Sequence, residues 1–159
     1  PQFLTEAHHH YLWQTTQDLS RTLEGVGFGY NSLGAFASVN HLHFQMFIKP
    51  EGFPVMAPQW QHNGGEKAYP TACLAISDPK SAWAGIHQLH ENETPYNLLY
   101  SSGRMYLFPR RKQGTYTQPA WTSGFTWHEL AGGMITFNRE DYERLDAAAI
   151  EHELACLVP

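Results

Sequence analysis

The chain of 159 residues predicts an α+β fold, and three observations carry that expectation. Helical patterning is confined to one stretch near the start, one in the middle and one at the end. Short apolar runs bounded by Gly, Pro, Asn and Ser lie between them. Two of these runs are joined by a tight Ser-Ser-Gly turn, so the sheet is expected to be mainly antiparallel.

The elements follow in order. The segment from Leu4 to Leu23 predicts a helix, with Leu12, Leu19 and Leu23 recurring at helical spacing and Trp13 beside them. Gly25, Gly27 and Gly29 stop it, and a short extended piece runs to Tyr30. A strand is expected from about Val39 to Ile48. The prolines and the Asn-Gly-Gly run between Lys49 and Pro70 predict a loop. Thr71 to Ser77 is a strand candidate. Asp78 followed by Pro79 is a helix start, with an N-cap acceptor and a first residue whose φ is preset. Tyr96 to Tyr100 and Met105 to Phe108 form the hairpin. Residues 125–137 predict a further strand broken at Gly132 and Gly133. A terminal helix begins at Asn138, with Glu140 and Asp141 favourable in its first turn.

One domain with a real core suits this length. Nine Phe, eight Tyr and five Trp mark a globular composition. The net charge of −5 provides no basic footprint for nucleic acid. No apolar run has membrane-spanning length, so no membrane partner is expected. Cys73 and Cys156 make no disulfide framework, and a reducing cytosol fits them best. The chain starts at Pro1 rather than Met, so part of a longer protein is expected.

The chemistry concentrates in "GYNSLGAFASVNHLHFQMF", residues 29–47. On a strand, alternate side chains share a face. Leu42, Phe44, Met46 and Ile48 would then enter the core, while His41, His43 and Gln45 share the other face. The plain alternative is a polar face turned to water. Against it, this face carries two imidazoles and an amide but no Lys, Glu or Thr. The stretch before it is rich in residues that let a backbone approach a ligand: Asn31, Ser32, Gly34, Ala35, Ala37 and Ser38.

This stretch resembles the histidine-triad signature, His-φ-His-φ-x-φ-φ with φ apolar, in the branch that carries Gln for the third His. More particularly it is similar to the GDP-hexose phosphorylases. The likeness continues in "GFPV" (52–55), "TPYNLLYSSGRMYLFPR" (94–110) and "WHELAGGMITFNREDYE" (127–143). It implies a histidine-triad-like, mainly antiparallel sheet with flanking helices, in a single domain over 1–159. The family has a substantial segment upstream of the motif, which contributes to its nucleotide pocket. A C-terminal part of a longer chain, or a short relative, is therefore implied. The family pattern Glu-x-Ser/Ala-Gly-His-Met reads "ELAGGM" here, so Gly133 stands where a histidine is expected.

The resemblance implies that a GDP-hexose and inorganic phosphate give GDP and hexose 1-phosphate. His43 would be the nucleophile and His41 and Gln45 its companions, with Asn31, Ser38 and Asn40 contacting phosphate. No cofactor or metal is implied. A homodimer is left open. The residue types suit the task. Neutral imidazole is nucleophilic near neutral pH if its other nitrogen is held as N–H by an acceptor. Donors aimed at the developing charge can replace a metal. An amide at Gln45 can hydrogen-bond but not protonate, which suits a good leaving group and an anionic acceptor. Alternatives are a dinucleoside polyphosphate phosphorylase, a hexose-1-phosphate uridylyltransferase, or a non-catalytic nucleotide-binding module.

Other candidates are weaker. Neighbours on a helix diverge, so His8, His9 and His10 predict a solvated face rather than a metal site. His87 and His90 are expected at the surface, as are Arg104, Arg110 and Arg111. Cys73 and Cys156 are expected to be small core residues, and Trp13, Trp83, Trp121 and Trp127 core aromatics rather than a base platform.

Overall fold

The computed structural model describes residues 1–159. Its centre is a five-stranded sheet in the order β2-β1-β4-β5-β3, every neighbouring pair antiparallel. The strands are β1 (Val26–Asn31), β2 (Gln45–Ile48), β3 (Leu74–Ile76), β4 (Tyr96–Ser101) and β5 (Arg104–Pro109). The α+β expectation holds. The hairpin β4–β5 turns where Ser102 and Gly103 stand, and Gly103 takes the left-handed φ of 68° the turn requires.

Two helices cover one face of the sheet. Helix α1 (Glu6–Leu19) and helix α2 (Pro79–Glu91) pack there over Tyr30, Leu98, Tyr100, Met105 and Leu107. The side chain of Asp78 caps α2 at Ser81 N and Pro79 opens it, as expected. Helix α1 is shorter than predicted, and Leu23 lies beyond it, partly in solvent. The buried stripe is His9, Leu12, Trp13 and Thr16. His9 is not on a solvated face. Its Nε2 bonds the Pro79 carbonyl at 2.9 Å and its Nδ1 the Tyr100 hydroxyl at 2.8 Å, tying α1 to α2 and β4. His90 is likewise half-buried, with Nε2 2.7 Å from the Tyr96 hydroxyl.

The opposite face is covered by irregular chain and short helices. Phe53, Val55, Leu99, Tyr106, Phe108, Phe125, Trp127, Leu130, Leu154 and Leu157 form this second core. Residues 125–137 are not a strand. Thr126 and Glu129 form a reciprocal capping box that starts a single helical turn, α3 (Trp127–Leu130), and Gly132 ends it at a φ of 98°. The terminal helix is two helices, α4 (Arg139–Arg144) and α5 (Ala147–Ala155). Asp146 caps the second by accepting from Ala149 N.

Two of the strand glycines do more than end a helix. A Cβ on Gly29 would lie 2.0 Å from the Trp127 indole, and one on Gly27 2.3 Å from the Phe47 ring. These bare positions let the two aromatic rings, stacked 5.3 Å apart, lie directly on β1.

Candidate active site

The predicted strand from Val39 to Ile48 is only half formed. Pairing with β1 begins at Gln45, opposite Gly29. Residues 38–44 have extended or bent backbone without a strand partner. The inward set also differs from expectation. Leu42 and Phe44 pack against the first core, but Met46 and Ile48 are 55% and 56% exposed. β2 is an edge strand, and α1 lies over β1 and β4 rather than over it. The side chain of β2 that enters a core is Phe47, on the same face as Gln45.

The loop carrying the histidines is held by a residue far upstream. Gln2, only 2% exposed, uses its amide to bridge the histidine loop and the end of β1: Oε1 accepts from His43 N at 3.2 Å and Nε2 donates to the Asn31 carbonyl at 2.7 Å. The main-chain N–H of Gln2 donates to Asn40 Oδ1 at 3.0 Å. Asn40 is thereby engaged through its oxygen. Nothing in the local sequence flags Gln2, whose partners are 29 to 41 positions away.

His41 and His43 lie together, ring centres 5.6 Å apart. His43 Nδ1 is 3.0 Å from the His41 carbonyl oxygen. A carbonyl only accepts, so Nδ1 carries the proton and Nε2 the lone pair. This is the tautomer a phosphorus-attacking imidazole needs.

Behind the histidines runs a buried polar network. Asn97 Nδ2 donates to Asn31 Oδ1 at 2.6 Å and to the Ala35 carbonyl at 2.9 Å. The main-chain N–H of Trp127 donates to Asn31 Oδ1 at 2.9 Å, and its indole N–H donates to Gln45 Oε1. Asn31 is thus buried and structural through its oxygen. Ser32 is buried as well, its hydroxyl accepting from Tyr96 N at 2.8 Å. Ser38 is exposed on the loop.

Arg110 anchors the far end of the network and is buried, not at the surface. Its guanidinium donates to Asn97 Oδ1, the Phe125 carbonyl, the Arg111 carbonyl and the Tyr116 hydroxyl. Burial lowers its pKa, an effect opposed by Tyr116 and, at longer range, by Glu129. The Phe36 ring lies 5.2 Å from its Cζ. Phe36 itself takes a left-handed φ of 63°, a strained backbone for a bulky residue, and its N–H is held by Gln113 Oε1 at 2.6 Å. The small-residue turn before the histidines is therefore clamped from below.

Gly133 has a specific neighbour. A Cβ there would meet the His128 ring at 2.4 Å, so an imidazole from five positions upstream lies against the glycine. Burial would raise the Glu129 pKa, but His128 and the Thr126 cap hold the carboxyl below its ordinary value.

A cleft of about 160 Å³ opens beside Gln2, lined by Phe3, Tyr30, Ser32, His90 and Tyr96. A wider one of about 470 Å³ lies by Gly25 and Lys49, at the opposite end of β1 from Asn31 and the histidine loop. No three His, Cys, Asp or Glu side chains group so as to hold a metal ion. Cys73 and Cys156 are unpaired and partly buried, and burial pushes the Cys73 thiol well up. No helix is long and apolar enough to cross a membrane.

No family model matches the chain. Two plant proteins do. Over 148 residues it is 34% identical to GDP-L-galactose phosphorylase 1 of Arabidopsis thaliana, and over 147 residues 31% identical to GDP-L-galactose phosphorylase 2. Each alignment covers 72% of this chain and 32% of the relative. Over that stretch the chain is similar to the GDP-L-galactose phosphorylases. It spans about a third of their length. Among solved structures, yeast Ap4A phosphorylase Apa2 superposes with a TM-score of 0.73 at 18% identity, over 99% of this chain and 64% of that one. Its complex with Ap4A superposes at 0.70. The fold is therefore histidine-triad-like, as expected.

Proposed function

We propose that this chain carries the reaction centre of a nucleotide phosphorylase that cleaves a GDP-hexose with inorganic phosphate. The single observation that carries the reading is the His43 ring, with Nδ1 held by the His41 carbonyl and Nε2 left as the nucleophile. Nε2 attacks the α-phosphorus, and the bond to the hexose 1-phosphate oxygen breaks. Hexose 1-phosphate leaves already anionic, so Gln45 need not give it a proton. An oxygen of inorganic phosphate then attacks the guanylyl-histidine, the phosphorus–nitrogen bond breaks and GDP leaves. His43 returns to its starting tautomer. Backbone N–H groups of Gly34, Ala37 and Ser38, with the side chains of Ser38, Asn40 and His41, supply donors to the phosphates. The chain's own residues suffice for these steps without a metal.

The guanine and the hexose rest on the similarity to the GDP-L-galactose phosphorylases. The shared fold with an Ap4A phosphorylase supports one second reading, phosphorolysis of a dinucleoside polyphosphate by the same His43 chemistry. The test is a product assay on the full chain and on any longer parent, with GDP-hexoses, UDP-hexoses and Ap4A, with and without phosphate. GDP formed from a GDP-hexose only when phosphate is present is the expected result. Turnover of Ap4A alone gives the second reading, and nucleotide binding without turnover in either protein defeats both.

A further inference from the structure

We infer that Trp127 is a positioning residue for this site: by occupying the carbonyl oxygens of Gln45 and Asn31 it turns the amide NH2 group of Gln45 outward, making the site selective for an anionic phosphate acceptor. The inference rests on the phosphorolysis proposed above and adds a residue and a device to it.

The orientation of an amide side chain is ambiguous until its partners are chemically obligate. Here they are. An indole N–H can only donate, so the Gln45 atom it meets is the oxygen. A main-chain N–H can only donate, so the Asn31 atom facing Trp127 N is also the oxygen. The Ala35 carbonyl can only accept, which fixes Asn97 with its NH2 toward Ala35 and Asn31. Arg110, donor-only, takes up the remaining Asn97 oxygen. None of the three amides can reverse without leaving two donors or two acceptors facing each other.

The consequence falls on Gln45, which is exposed although its oxygen is covered. Its free end is a pair of N–H donors. Such an end attracts the oxygens of a phosphate dianion and offers no lone pair to take a proton from water. Trp127 can hold this position because Gly29 lacks a Cβ and Phe47 stacks on the indole. The tryptophan thus acts through Gln45 and touches neither reacting atom.

The test is a double-mutant cycle on the full chain with Trp127→Phe and Gln45→Ala, read first on binding of inorganic phosphate and of GDP, which needs no turnover. Trp127→Phe is expected to weaken phosphate binding about tenfold, the scale of one charge-assisted hydrogen bond, and to have no further effect once Gln45 is Ala. In an active form the same cycle should appear in KM for phosphate, with a larger GMP share. Equal effects of Trp127→Phe in both backgrounds overturn the proposal, because a purely packing role is independent of Gln45. A second variant avoids reliance on a truncated ring. Gln45→Glu still accepts from the indole, so the Trp127 indole N–H resonance should persist while phosphate binding is lost. Undiminished phosphate binding in Gln45→Glu also overturns the proposal. A non-additive binding cycle in a chain that turns over no GDP-hexose leaves this device standing and removes the reaction assigned to it.

Discussion

His43 attracts attention through its motif, but its chemistry is decided by a contact two residues back. With Nδ1 committed to the His41 carbonyl, a GDP-hexose supplied without phosphate should leave an acid-labile guanylyl adduct on His43. His43→Ala should abolish turnover with an unchanged urea midpoint, since the ring is not part of either core. Mass mapping of the adduct to His41 would overturn the assignment. A different histidine governs stability. Burial lowers the His9 pKa below 6.5, against a smaller raising effect from the Pro79 carbonyl. The unfolded chain therefore takes up a proton at a pH where folded His9 resists it. Stability from this group is fully present above about pH 6.5 and falls as pH drops from there through the lower folded value. The urea midpoint should decline between pH 7.5 and pH 5, and less so in His9→Gln. An identical slope in the variant would show that His9 is not the group responsible.

At the scale of elements, those with strong local signals were legible in the sequence. Asp78 and Pro79 begin α2, and Gly103 closes the β4–β5 turn. The misplaced elements are those where tertiary context outweighs pattern. Alternation across 39–48 is real, but pairing with β1 starts only at Gln45, opposite Gly29, although β1 runs on to Asn31, whose carbonyl is taken by the Gln2 amide instead. Met46 and Ile48 look like core residues only while every apolar face is assumed to be covered. Residues 125–137 read as a strand from their apolar run, but Thr126 and Glu129 at their start, a Thr-x-x-Glu pattern, form a capping box, which is a helix signal and prevails. That pattern now makes a prediction. Thr126→Ala removes an N-cap from a helix of one turn and should cost about 1 kcal/mol of stability, read from urea denaturation. It should also loosen Trp127. No change in either stability or the Trp127 indole resonance would mean that the cap is dispensable.

Across the whole molecule, the site is assembled from sequence-distant parts: Gln2, Asn31, Gln45, Asn97, Arg110 and Trp127 meet through hydrogen bonds that no spacing rule reports. The motif singles out His41 and His43; the groups packed around them are hidden because each looks like ordinary core or ordinary surface alone. Arg110 is the plainest case, a charge flanking a hairpin that folds to 1% exposure among neutral acceptors. Two outcomes follow for the assembled site. Gly29→Ala places a methyl carbon into the Trp127 ring and should cost roughly 1–3 kcal/mol, with Gln45 released as well; a variant as stable as the parent, with the Trp127 indole resonance unmoved, would contradict this packing. On the proposed mechanism, in which N–H and O–H groups of the chain meet the phosphates, activity should survive a chelator; loss on chelation with rescue by one metal ion would contradict it.

The bond from His43 N to Gln2 has a consequence for how the loop opens. A strand amide exchanges its hydrogen only when the ladder separates, whereas this one is covered by a single side chain from the first turn of the chain. Its exchange clock is therefore set by Gln2 and not by the sheet. Opening of the histidine loop can occur as a small local event while β1 and β4 stay closed, so the segment to which the proposed chemistry is assigned is also one that can breathe without unfolding.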